Sequence, residues 1–163
     1  MTAPAPALPR IEPVPTPGHA PDHCCFLLTG ERALFSGDHV LGRGSALVVW
    51  PEGDMQDYLR SLARVRALDL ARLYPGHGPP VEDPPAVLDA CLAHRLERER
   101  EVLDALAAGD RTPAAIVARV YASTDPALHA AAELSVRAHL VKLVREGRVW
   151  HDGDRFRPAG GPS

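Results

Sequence analysis

Long apolar runs are missing from this 163-residue chain, as is an N-terminal stretch in which positive charge leads into an apolar core. A membrane-spanning helix needs about 20 predominantly apolar residues, so none is expected, and neither is a secretory leader. The expectation is a soluble, cytoplasmic protein with no membrane partner. Cysteine is scarce. Cys24, Cys25 and Cys91 make neither a Cys-x-x-Cys pair nor an even set, so they read as free thiols in a reducing compartment rather than as a disulfide framework. Lysine is scarcer, Lys142 standing alone among eighteen basic residues, which reads as coding bias. A strong charge of either sign is also missing. Residues 1–94 hold seven arginines against eleven acids, and residues 95–163 hold eleven basic residues against ten acids, so charge alone does not announce a nucleic-acid partner.

What is present is enough apolar residue, 45%, to build one domain or two small ones. Residues 1–10, rich in Pro and Ala, are expected to be flexible, and residues 159–163 a loose tail. Between them two parts are expected, 11–85 and 86–158. Ile11 to Val14 suits a short strand that Pro13 and Pro15 confine to a sheet edge. Cys24–Leu28 and Ala33–Phe35 flank a turn at Thr29–Arg32 and predict a hairpin of two buried strands. Leu47–Trp50 reads as a short strand or an apolar loop lining. Asp54 is placed to cap a helix whose Met55, Tyr58, Leu59, Leu62 and Val65 share a face, and Ala71–Tyr74 predicts the next strand. Strand, helix, strand is the order of an α/β layer protein with functional residues at strand ends.

Pro79, Pro80, Pro84 and Pro85 are expected to halt regular structure before a helix over about 86–108, stopped by Gly109. Its Arg95–Glu101 segment reads as a solvated face of neighbouring opposite charges. Thr112 and Pro113 predict a further helix, and Asp125 and Pro126 another that ends at Gly147. On that last helix Val136, Leu140, Leu143 and Val144 fall on one face, with Ser135, His139, Lys142, Arg145 and Glu146 opposite. Arg148–Arg157 then predicts a hairpin around Asp152-Gly153-Asp154. Three helices followed by a hairpin is the layout of a winged helix-turn-helix, with about 127–146 as its third helix.

The chemistry is concentrated in three loops. Thr16-Pro-Gly-His19-Ala-Pro-Asp22-His23, Ser36-Gly-Asp38 and Pro75-Gly-His77-Gly78 each set a metal-ligand side chain at the end of an apolar run, with Gly beside it. Pro17, Gly18 and Pro21 argue against a helix at His19 and His23, so His19 is read as the ligand and His23 as a supporting or packing group behind it. Asp38 has two carboxylate oxygens and suits a bridge between two divalent ions, or else caps its own turn. His39, His94, His129, His139 and His151 have no such setting and are expected in surface or structural roles.

These loops, with Phe35 before the second and Tyr74 before the third, resemble the later metal motifs of the metallo-β-lactamase-fold hydrolases. The Ala138–Val149 run is similar to the winged helix of the lactamase-beta-2-like branch. The resemblance covers about residues 10–158. It implies an α/β fold, a partial αββα sandwich followed by a small winged helix. It also implies a hydrolase holding up to two zinc ions, with His19 on the first, Asp38 bridging as the catalytic carboxylate, His77 on the second, and Asp22 and His23 in support. Small-molecule thioesters or lactones and RNA phosphodiesters are all substrates of that family. Its first motif, His-x-His-x-Asp-His, is absent, and no His precedes His19. The resulting expectation is a truncated member with three ligands, weak zinc binding and an open sheet face, poorly active unless a second copy, chain or segment completes it. The competing expectation is a non-catalytic module whose winged helix binds nucleic acid through Lys142, Arg145 and Arg148.

Overall fold

The computed structural model describes residues 10–160. The flexibility expected of residues 1–9 and the loose end expected at 161–163 lie outside the described residues. A four-stranded sheet is built from β1 (Ile11–Pro15), β2 (Cys24–Leu28), β3 (Ala33–Gly37) and β4 (Arg72–Pro75), in that spatial order. β2 runs antiparallel to both β1 and β3, and β4 is parallel to β3. The two prolines of β1 sit on the sheet edge, where no neighbouring strand needs their missing N–H. Because β1, β3 and β4 point the same way, all three donor loops leave from one end of the sheet.

The parallel crossover from β3 to β4 passes through α1 (Met55–Arg66). Asp54 caps it, its carboxylate accepting the N–H groups of Gln56 at 2.9 Å and Asp57 at 3.1 Å. Tyr58, Leu62 and Val65 of this helix pack on Cys25, Leu34 and Leu73 of the sheet, with Leu88 of α2 (Pro84–Ala107) closing the cluster. The strands are therefore not buried on both faces, as the hairpin's apolar runs suggested. Pro13, Phe26, Phe35 and Tyr74 are paired in one row across the other face, where Phe26 is 45% and Phe35 43% exposed. Leu47–Trp50 forms a loop, with Val48 turned into the core.

Pro84 and Pro85 do not delay α2. They occupy its first turn, where the missing N–H groups need no partner, and Asp83 caps it. After α2 come α3 (Pro113–Val120), a 3-10 turn at Pro126–Leu128, α4 (His129–Arg145) and the hairpin β5 (Val149–Asp152) and β6 (Arg155–Pro158). Val102 and Leu106 of α2, Ile116 and Val117 of α3, and Val136, Leu140 and Leu143 of α4 form the second core.

Two expectations about charge need correction. Arg95 and Glu99 of α2 are not solvated but 5% and 6% exposed, and the face of α4 carrying Ser135, His139 and Lys142 is buried as well. Both faces meet each other. Lys142 Nζ donates to Glu99 at 2.6 Å and to Glu146 at 2.9 Å, while Arg148 reaches Glu99 at 2.7 Å. Arg95 donates to Ser45 Oγ at 2.8 Å and to the Ala46 carbonyl, and its guanidinium lies 5.2 Å from the Tyr58 ring centre. Helical periodicity alone marks such positions as polar; the neighbouring element decides that they are inside. A buried charge is tolerable because its partner is buried with it, and removing one side is costly. Glu99→Ala should lower stability to urea by about 3 kcal/mol, whereas Glu97→Ala on the exposed side of α2 should leave the midpoint unchanged; an equal midpoint for both would show the pair to be idle.

His139 lies between these charges with neither ring nitrogen hydrogen-bonded to protein. Burial, then Arg95 and Lys142, push its imidazole from 6.5 down to about 3. Between those values the unfolded chain binds more protons than the folded one, so stability rises with pH and is lost as pH falls from about 6.5. His139→Met should flatten the pH dependence of the urea midpoint across that window by about one proton, and an unchanged slope would place the imidazole in contact with solvent.

Candidate metal-binding site

His19 sits in the β1–β2 loop, Asp38 just past β3 and His77 just past β4. The loops are locked together by backbone bonds: Gly76 N–H to the Gly37 carbonyl at 2.9 Å and Gly42 N–H to the His77 carbonyl at 2.9 Å. This sets His77 Nε2 3.5 Å from Asp38 Oδ1. That oxygen is buried and has no hydrogen-bond partner among the described residues. His19 Nδ1 meets the Leu47 carbonyl at 2.6 Å. A carbonyl only accepts, so Nδ1 carries the hydrogen and Nε2 of the neutral ring holds the lone pair, the tautomer a metal ligand needs.

His23 stands behind them. Thr16, fully buried, places its Oγ1 2.8 Å from His23 Nδ1 and 3.2 Å from Cys25 Sγ. The ring centre of His23 is 6.2 Å from that of His19 and 6.0 Å from that of His39. Burial and then the His19 charge push the His23 imidazole down, and burial lifts the Cys25 thiol to about 11. Asp22 is exposed, and its charge acts on His23 from outside.

His39, expected on the surface or in a structural role, is fully buried beside His23 and 5.0 Å from the Tyr58 ring. Burial, then the His23 charge, push it to about 4, against a smaller opposing effect of the Ser61 backbone. Its position directly after Asp38 was the only trace of this in the sequence. Lys142, Arg145 and Arg148 are elsewhere, spent on internal pairs: Lys142 and Arg148 on Glu99 and Glu146, Arg145 on Asp54.

The donors fit a divalent metal in chemistry but not in number. Imidazole and carboxylate suit such an ion, and the unpartnered Asp38 oxygen facing His77 is the atom an ion would satisfy. Among the described residues, however, no group of three or more His, Cys, Asp or Glu side chains is gathered closely enough to hold one.

Residues 5–77 match the model of the metallo-beta-lactamase superfamily, and residues 112–157 match that of the beta-lactamase associated winged helix domain. The chain carries part of a metallo-beta-lactamase fold with its associated winged helix. The "Beta-lactamase-like protein 2 homolog" of Caenorhabditis elegans is 37% identical over 152 residues, 92% of this chain and 50% of that protein. The "Atrochrysone carboxyl ACP thioesterase" of Aspergillus fumigatus is 41% identical over 96 residues, 59% of this chain and 29% of that protein. A beta-lactamase domain protein from Burkholderia ambifaria superposes with a TM-score of 0.83 at 28% identity, over 93% of this chain and 49% of its own. The chain thus spans half or less of the length of these relatives.

Gly37 tests the loop geometry within this metallo-beta-lactamase part. Its φ is +51°, and a Cβ there would lie 2.9 Å from His23 Nε2. Gly37→Ala should weaken zinc binding about tenfold or more. Gly30, with nothing within 4 Å of an added Cβ, supplies the control. Equal zinc titrations for Gly37→Ala and Gly30→Ala would mean that His23 and Asp38 tolerate a displaced loop.

Proposed function

We propose that the chain contributes His19, Asp38 and His77 to a zinc-dependent hydrolase site acting on thioester, ester or lactone bonds. The observation that carries this is the buried, unpartnered Asp38 Oδ1 facing His77 Nε2 at 3.5 Å. In the His77 tautomer that leaves Nε2 unprotonated both atoms are acceptors, and a cation between them satisfies them together. The Asp38 carboxylate and His77 Nε2 would be two of the metal's ligands and His19 Nε2 a further one, a set that needs ligands from elsewhere to be complete. When bound, zinc supplies a Lewis acid and a water whose pKa falls towards neutrality.

The protein's own residues orient this chemistry. Leu47 fixes the His19 tautomer, and Thr16 holds the His23 ring beside Gly37, where an added side chain would meet it. The remaining ligands must come from outside these three loops, from a preceding segment, a second copy or a completing chain. The name of the Aspergillus relative supports an acyl substrate.

A winged helix acting on RNA is the less favoured reading. A phosphate approaching Lys142, Arg145 or Arg148 would have to displace Glu99, Glu146 or Asp54. In assays of the zinc-loaded chain, slow hydrolysis of a thioester reporter should be abolished by His77→Ala and by chelation. Turnover that survives a chelator contradicts the proposal.

A further inference from the structure

A cavity of about 480 Å³ lies between α4, the β5–β6 hairpin and the Trp50 loop, within the roughly 300–1,000 Å³ range of small-molecule sites. Its apolar wall is Trp50, Val141, Val144 and Phe156. The cations around it are already neutralised: Arg137 is paired with Asp154 and, at 2.9 Å, with Glu133, and Arg145 is paired with Asp54. What remains available is ring and aliphatic surface. The Arg145 guanidinium lies 5.8 Å from the Trp50 ring centre, and His151 is stacked on Phe156 at 5.8 Å. Such walls suit a neutral, flat or extended apolar group and offer a phosphate no unpaired cation.

The cavity is tied to the donor loops in two places. Trp50 N–H donates to the Leu134 carbonyl of α4 at 3.3 Å, and three residues earlier the Leu47 carbonyl holds His19. Three residues reach at most about 10 Å, so the Trp50 backbone lies no farther than that from the Leu47 carbonyl that holds the His19 ring. On the other side, Asp54 N–H donates to the Gly18 carbonyl at 2.8 Å, next to His19, while its carboxylate holds Arg145. A group seated against Trp50 is therefore within reach of the donor edge.

We infer that this cavity receives the apolar acyl or aryl portion of the substrate, an assignment that rests on the hydrolase reading for the bond that is cut. The neutral dye N-phenyl-1-naphthylamine, which brightens in apolar pockets, tests it on the full chain. Its emission should rise on binding. Affinity should fall at least about tenfold in Val141→Trp, which fills the cavity, and in Trp50→Ala, which removes a wall. Phe35→Ser on the open sheet face should leave the affinity unchanged, and far-UV circular dichroism and zinc titration should show that each variant is folded. Equal affinity in the wild type, Val141→Trp and Trp50→Ala would overturn the inference, as would loss of binding in Phe35→Ser alone. The two readings fail separately. Thioester turnover without any dye response sinks the cavity assignment only, and dye binding with the predicted losses but no metal-dependent turnover sinks the hydrolase reading while leaving an apolar binding site.

Discussion

Everything at the donor edge depends on the parallel pairing of β3 with β4 and the close meeting of the loops that leave them. Backbone bonds join Gly76 to Gly37 and Gly42 to His77, and a Cβ on Gly42 would stand 2.0 Å from the Pro79 carbonyl oxygen. No side chain fits at that contact. The glycines let two loops approach to backbone distance, and the approach gives Asp38 and His77 their 3.5 Å separation. A metal site built on loops needs such rigidity, because ligands that wander lose the affinity that preorganisation supplies.

A second constraint joins the two cores. α4 faces its own domain with Val136, Leu140 and Leu143, and it faces α2 with His139 and Lys142. The buried Glu99 accepts from Lys142 and Arg148, and the buried Arg95 anchors the Ser45–Ala46 loop, four residues before Trp50. Winged helix, apolar cavity and donor loops are thereby joined through paired charges. On the proposed reading the winged helix is a wall of the site.

Much of this was legible in the residues. Gly-flanked His19, Asp38 and His77 announced their loops, Asp54 and Thr112 announced helix starts, and Asp152–Arg155 announced the hairpin turn, because each is a local signal with a local cause. Apart from Pro84 and Pro85, which open α2 instead of preceding it, the misses were tertiary. Burial of Arg95, Glu99, His139 and Lys142 depends on which helix lies opposite, and a hydrophobic period treats every charge as outward. For His39, expected on the surface or in a structural role, only the fold decides for the buried one, through Tyr58, nineteen residues away, whose hydroxyl donates to the His39 carbonyl at 2.9 Å. The exposed face of β2 and β3 was hidden for the converse reason: Phe26 and Phe35 look like core, and in the described residues nothing covers them.

The chain carries part of a sandwich with an open face, and the proposed metal site would take only some of its ligands from it. Equilibrium zinc analysis of the chain by itself tests it most directly. The account predicts weak binding of less than one ion per chain at micromolar protein, further reduced by Asp38→Asn. Two tightly held ions per monomer would contradict it.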